Sequence, residues 1–196
     1  MSEDADLTSL RIRVEGFVQA VGFELYLKML DETVRHMQNG DGAPKLIPAE
    51  VSLDVPSYLP DDYVSIQEAK LDIYRRLSQM TEPSEVEELR EELRDRFGPL
   101  PPAANAFLAV ALLRIVGGRL GVEGILVRGN EARVTFREAA APRLRGLTAA
   151  FQEVQFQAEV RRTNPLSLKL TRLGGAAILD GLVRALGSLL EEPAKR

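Results

Sequence analysis

Residues 51–102 read VSLDVPSYLPDDYVSIQEAKLDIYRRLSQMTEPSEVEELREELRDRFGPLPP, and they carry the clearest structural signals in the chain. Their apolar residues alternate at the start, which predicts a short strand. Two amphipathic helices are predicted next, because apolar residues then recur every three or four positions. Ser65 with Glu68, and Ser84 with Glu87, have the capping-box spacing that is typical of helix N-termini. The final prolines predict a corner before a third helix.

The second of these helices has two different faces. Its apolar stripe consists of Val86, Leu89, Leu93 and Phe97. Another face carries four acidic residues at helical spacing, which we call the acidic column: Glu85, Glu88, Glu92 and Asp95. Like charges at this spacing destabilise an isolated helix by about 0.2–0.5 kcal/mol per pair, although Arg96 lies four residues after Glu92 and offsets part of this. Two interpretations stay open: a solvated face with salt bridges, or a docking surface for a basic partner.

The charge of the chain is unevenly distributed along its length. Residues 1–100 contain 11 Lys and Arg against 21 Asp and Glu, whereas residues 101–196 contain 14 against 8. This favours two surfaces of opposite sign and argues against a protein that binds nucleic acid all over its surface. The absence of cysteine excludes disulfides and thiolate metal sites. With no signal peptide and no apolar run long enough to span a bilayer, we expect a cytoplasmic protein without membrane contacts.

The remaining segments alternate between helical and strand patterns. Helices are predicted over residues 17–37, 103–116, 142–151 and 174–192, and strands over residues 10–14, 51–55, 154–160 and 166–170. A hairpin is predicted with Gly129 and Asn130 at its turn. We therefore expect an α+β fold, with a helical N-terminal half packed on a small, mainly antiparallel sheet and a C-terminal helix. Residues 1–16 are predicted to be a remnant or linker with a short strand, and residues 17–196 to be one domain.

No motif in the sequence indicates catalysis. There is no phosphate-binding P-loop, no HExxH and no pair of metal ligands at a recognised spacing. His36, the single histidine, has no obvious partner for acid–base chemistry. The glycines Gly117, Gly118 and Gly121 follow a predicted helix, so we interpret them as its end. We predict that the chain is not an enzyme and has no catalytic residue, cofactor or metal site.

The basic residues of the C-terminal half admit two interpretations. They are Arg128, Arg133, Arg137, Arg161, Arg162, Lys169 and Arg172. Phosphate binding is one interpretation, but no aromatic residues are interleaved with them as binding of single strands would favour. A solvated sheet face is the other and favoured interpretation.

Three motifs in order resemble a known family. DVPSYLPDDYV, LDIYRRL and ELRDRFGPLP are similar to the C-terminal domain of the bacterial transcription-repair coupling factors (Mfd). The similarity runs over residues 50–121, and VGFELYLKML resembles the segment that leads into this domain. Here only LRIRVEG remains before FVQAVGF, where the family has a longer glycine-rich loop of its motor, so we expect a terminal domain that is separated from the motor of such a factor.

The resemblance implies a regulatory function. The factors of this family are ATP-dependent DNA translocases that displace stalled RNA polymerase and recruit the excision-repair protein UvrA. Their C-terminal domain is not catalytic, and it docks on a UvrB-like N-terminal module and masks the UvrA-binding surface of that module. The motif places this contact on Glu92 and Asp95, with Glu88 as a supporting charge and Arg96 orienting Glu92. The partner would be the UvrB-like module, with UvrA and RNA polymerase as indirect partners. The alternative is a module that binds DNA or RNA polymerase through its basic half.

Overall fold

The computed structural model describes residues 46–137, 144–161, 164–173 and 177–191. The predicted strand 10–14, the predicted helix 17–37 with His36, and Arg162 lie outside the described residues. The predicted domain boundary after residue 16 also lies outside them and stays a prediction.

The described residues form five helices and one five-stranded sheet, so the predicted α+β fold is confirmed. The helices are α1 (Gln67–Gln79), α2 (Pro83–Phe97), α3 (Pro102–Arg119), α4 (Leu144–Glu153) and α5 (Ile178–Glu191). The strands are β1 (Glu50–Leu53), β2 (Val122–Arg128), β3 (Glu131–Phe136), β4 (Phe156–Arg161) and β5 (Ser167–Arg172). Every element predicted within the described residues is present, and the strand and helix bounds there differ from the predicted ones by only a few residues.

The sheet has the strand order β1-β2-β3-β5-β4 and is mainly antiparallel, as predicted. Among the strands that the structure describes, only β1 and β2 are parallel neighbours. The hairpin of β2 and β3 turns at Gly129, whose φ of 57° is a conformation that glycine adopts without a steric penalty. The amide of Gly129 donates a hydrogen bond of 2.7 Å to Asp54 Oδ2, which ties the turn to the segment after β1.

The core lies between the sheet and α3. The inner face of the sheet is apolar because buried and exposed residues alternate along β2 and β3. Helix α3 is buried nearly all round, and its Phe107 packs edge-on against Tyr74 of α1 with ring centroids 5.1 Å apart. Full burial of such a side chain contributes about 1.5–3 kcal/mol. The apolar segment that was predicted as a helix over residues 103–116 therefore forms the central helix of the core.

The prediction that the glycine cluster ends α3 is wrong for two of its three members. Helix α3 continues through Gly117 and Gly118 and ends at Arg119. A Cβ atom on Gly118 would lie 2.6 Å from the carbonyl oxygen of Ile47 and 2.9 Å from Cα of Pro48. These glycines allow the chain before β1 to cross the helix at short range. Gly121, with a φ of 73°, lies in the turn that follows.

Neither of the two predicted capping boxes is present. Helix α1 begins after Ile66 with no side-chain hydrogen bond at its cap. The capping box of α2 is formed by Glu82 and Glu85, with Pro83 in the first helical turn. Proline fits there because its fixed φ is helical and its missing amide would have no helical partner. Glu85 Oε2 accepts the amide hydrogen of Glu82 at 2.9 Å, so this member of the acidic column caps its own helix.

We expect Gly118→Ala to destabilise the fold, although alanine is intrinsically the better helix former by about 1 kcal/mol. The added methyl group would displace backbone atoms at residues 47 and 48, which should lower the free energy of unfolding by about 1–3 kcal/mol. The control is Gly187→Ala in α5, where a Cβ would meet nothing within 4 Å. That change should stabilise by about 0.5–1 kcal/mol. Urea unfolding followed by circular dichroism measures both, and two stabilised variants would contradict the close approach.

Candidate protein interface

The acidic column lies on α2, whose opposite face is fixed in the core. Val86, Leu89 and Leu93 are buried, which confirms the predicted stripe over most of its length. Phe97 is half-buried and makes an edge-on contact with Tyr63, with ring centroids 5.8 Å apart. Because this face is held by packing, the acidic face has a defined direction toward solvent.

Both ends of α2 are held by contacts from other segments. The Tyr63 hydroxyl lies 3.0 Å from the carbonyl oxygens of both Leu93 and Gly98. The hydroxyl has one proton to share between these two acceptors, and burial raises the pKa of Tyr63. At the other end, Arg119 of α3 donates to the carbonyl oxygen of Thr81 at 3.0 Å and forms an ion pair with Glu82. The helix is therefore a rigid support for any side chain on its outer face.

Glu92 is held by two arginines. Arg76 of α1 donates to Oε1 at 3.1 Å and to Oε2 at 2.6 Å, and Arg96 donates to Oε1 at 2.7 Å. The Glu92 side chain is 29% exposed. The hydrogen bonds from Arg76 are the main reason that the pKa of Glu92 falls to about 2, although partial burial opposes them. Glu92 is thus ionised and fixed in orientation by contacts within the described chain.

The other members of the acidic column are more exposed. The Asp95 side chain is 77% exposed and lies 4.0 Å from Nε of Arg94, its neighbour in sequence. Glu88 is exposed as well. The guanidinium of Arg96, besides binding Glu92, lies 5.1 Å from the ring centroid of Phe97. The structure therefore places the predicted site residues on one helix: Glu88, Glu92, Asp95 and Arg96. Of the two carboxylates in the motif, Asp95 is more exposed to solvent than Glu92.

Arg76 is not among the site residues predicted from the sequence. Its contact with Glu92 joins residues 16 apart on two different helices. One feature of the sequence could have indicated it: Arg76 directly precedes the apolar Leu77, which is buried. Arg76 therefore lies at the margin of the packed face of α1. Residue spacing within one helix finds Arg96 because it is an i,i+4 neighbour, but it cannot find a partner on a second helix.

Several of the described basic residues of the C-terminal half are in contact with other groups of the domain. Lys169 pairs with Glu131 at 2.7 Å, and Arg137 donates to the carbonyl oxygen of Pro48 at 3.2 Å. Arg172 lies on the inner face of the sheet, with its guanidinium 4.9 Å from the ring centroid of Phe156. Lys169 of β5 pairs with Arg133 on the neighbouring strand β3. On its other side, Lys169 pairs with Glu159 of β4. A sheet face of mixed charge results.

Among the residues that the structure describes, no cluster of three or more His, Cys, Asp or Glu side chains could hold a metal ion. None of the helices described here is both long and apolar enough to cross a membrane.

Comparison with known proteins identifies the domain that contains this helix. A family model of the TRCF domain matches residues 53–147, a range that includes α1, α2 and α3. The chain carries a TRCF domain. A crystal structure of the C-terminal domain of a transcription-repair coupling factor matches with a TM-score of 0.66 and 28% identity, over 74% of this chain and 92% of that chain. The resemblance found in the sequence is confirmed.

Curated relatives match over the same part of the chain. The transcription-repair-coupling factor of Myxococcus xanthus is 36% identical over 135 residues, which are 67% of this chain and 11% of that protein. The factor of Escherichia coli is 36% identical over 121 residues, which are 59% of this chain and 10% of that protein. The matched part is about a tenth of the length of these relatives, so the similarity concerns one domain of a TRCF protein.

We expect Glu92→Gln to destabilise the domain by about 1 kcal/mol near neutral pH, because it removes the charge that both arginines contact. The folded-state pKa of about 2 lies below the ordinary value of 4.5, so this contribution is present above about pH 4.5 and is lost as the pH falls toward 2. Urea unfolding at about pH 6 and about pH 3 should show the cost of the substitution shrinking in acid.

The control for this prediction is Glu91→Gln, which removes a charge from an exposed position of the same helix. Its effect on the free energy of unfolding should be small at both pH values. Equal effects of the two substitutions would show that the ion pairs of Glu92 do not persist in solution.

Proposed function

We propose that this chain is a non-catalytic regulatory domain in transcription-repair coupling. It docks through the outer face of α2 on the UvrB-like N-terminal module of a transcription-repair coupling factor and masks the UvrA-binding surface of that module. The main support is the position of two motif carboxylates, Glu92 and Asp95, on a helix whose ends and inner face are fixed within a TRCF domain. A regulatory contact of this kind needs a rigid surface and no reacting groups.

The chemistry of the face suits arginine side chains of a partner. An ionised carboxylate offers about four acceptor positions on its two oxygens. Contacts among the described residues use three of these positions in Glu92, two on Oε1 and one on Oε2, and leave one on Oε2 for a partner donor. Asp95 lies three residues later on the same helix and is largely exposed. One guanidinium could therefore bridge Oε2 of Glu92 and the carboxylate of Asp95 through two charge-assisted hydrogen bonds.

The strength of such a contact fits a reversible clamp. Removing one partner of a buried, hydrogen-bonded charge pair typically costs about 2–5 kcal/mol, whereas exposed rim charges contribute less. Asp95 is exposed before docking, so its pairing must offset the loss of hydration. We expect a contribution at the lower end of that range, which allows the domain to release when the factor is engaged.

The prediction is that Asp95→Arg weakens binding of this chain to the isolated UvrB-like module by at least tenfold at moderate salt, because it places a positive charge opposite the arginines of the module. Asp95 is the better position for a first charge reversal than Glu92, since Glu92→Arg would also face Arg76 and Arg96 within the domain. The double variant Glu92→Arg, Asp95→Arg should bind more weakly still. Calorimetric titration measures the affinities, and circular dichroism checks that each variant is folded.

The matched control is Glu159→Arg, the same charge change at an exposed position of β4. It should leave the affinity within about twofold of the unaltered chain, apart from the long-range effect of net charge. A wild-type chain that does not bind the module, or an Asp95→Arg variant that binds as well as Glu159→Arg, would refute the docking function. In that case, a steep salt dependence of DNA binding by this chain would favour the alternative function, in which the chain binds DNA through its basic C-terminal half.

A further inference from the structure

Arg76 lies outside the motif that marks the proposed interface, yet it makes the principal contact to a residue of that motif. It belongs to α1, and its side chain is 40% exposed beside Glu92, whose side chain is 29% exposed. Its two terminal nitrogens each contact a different oxygen of the carboxylate, at 3.1 Å and 2.6 Å. This fork-like arrangement fixes the plane of the carboxylate as well as its position.

We propose that Arg76 is a positioning residue of the docking surface: it holds Glu92 so that the remaining acceptor position of Oε2 faces the partner. This inference rests on the proposed function of α2. It adds a residue of α1 to the docking surface. Arg76 would raise the affinity for the partner indirectly, by holding Glu92 in the binding orientation.

The contact from Arg96 cannot replace that of Arg76. Arg96 reaches only Oε1 of Glu92, with one hydrogen bond of 2.7 Å. A carboxylate held at one oxygen can still rotate about its last side-chain bond, because that torsion is broad and has few preferred values. Arg76 binds both oxygens and removes this freedom before the partner arrives. A preorganised acceptor loses less conformational entropy on binding than a mobile one.

The arrangement also predicts that lysine at position 76 would hold Glu92 less well than arginine does. The guanidinium of arginine is planar and presents a rigid pair of donors that matches a carboxylate, whereas the ammonium of lysine is a compact charge without that geometry. Arg76→Lys therefore keeps the charge next to Glu92 and loses the two-point contact. Arg76→Gln loses both. The two variants separate the effect of charge from the effect of orientation.

The experiment measures the affinity of the full chain for the isolated UvrB-like module in five forms: unaltered, Arg76→Gln, Arg76→Lys, Glu92→Gln, and Arg76→Gln with Glu92→Gln. The matched control is Arg75→Gln, the same change at the exposed neighbouring position of α1. We expect Arg76→Gln to weaken binding at least fivefold relative to Arg75→Gln, and Arg76→Lys to fall between Arg76→Gln and the unaltered chain. Circular dichroism and urea unfolding establish that every variant compared is folded.

The double variant decides whether Arg76 acts through Glu92. If it does, Arg76→Gln should weaken binding no further once Glu92 is glutamine, since the group that it positions has lost its charge. Additive losses would instead mean that Arg76 contacts the partner independently, and they would overturn the positioning role. An effect of Arg76→Gln equal to that of Arg75→Gln would overturn it too, while a loss of binding in Asp95→Arg would leave the docking function standing. If the unaltered chain does not bind the module, the docking function fails and this inference fails with it.

Discussion

A helix that is apolar nearly all round must be covered on every side, and α3 (Pro102–Arg119) imposes this requirement on the rest of the described structure. Strands β1 and β2 cover one side of it, α5 covers another, and α2 packs along a third. The covering elements are amphipathic, with apolar residues directed to α3 and polar residues directed to solvent. The position of α2 is thus a consequence of packing, and so is the direction of its acidic face.

The face that results is less acidic in effect than its composition indicates. Glu85 is engaged in the cap of its own helix, and Glu92 is shared between arginines of two helices. Asp95 and Glu88 are exposed, and they carry the negative charge that a partner would meet first. A column that is uniform in sequence becomes, in the structure, a set of carboxylates in different surroundings. If this face is the proposed interface, the exposed Asp95 can be altered without removing the contacts that hold Glu92.

The sequence was sufficient for features that depend on neighbours along the chain. The α+β class, the buried stripe of α2 and the hairpin turn at Gly129 follow from local periodicity and local conformational preference. Features that depend on contacts between distant segments were missed. The glycines of α3 were assigned to a helix end, because the crossing of residues 47 and 48 cannot be seen in the helix itself. The cap of α2 was misplaced because Glu82 is not among the residue types that usually begin helices. Glu92 was found through the motif, but Arg76 was not, since the packing of α1 beside α2 is not encoded in the spacing of either helix.

The parallel pairing of β1 with β2 has a consequence for how the domain folds. Val51 pairs with Ile125, so about 70 residues, including three helices, must be closed into a loop before this pair can form. The hairpin of β2 and β3 closes over two residues and can form early, whereas β1 joins the sheet as a distant contact. Until it does, the outer edge of β2 presents unpaired amide and carbonyl groups, which are a template for association with other chains. The hydrogen bond from the Gly129 amide to Asp54, just after β1, holds β1 beside β2, so this edge of β2 is paired in the folded domain.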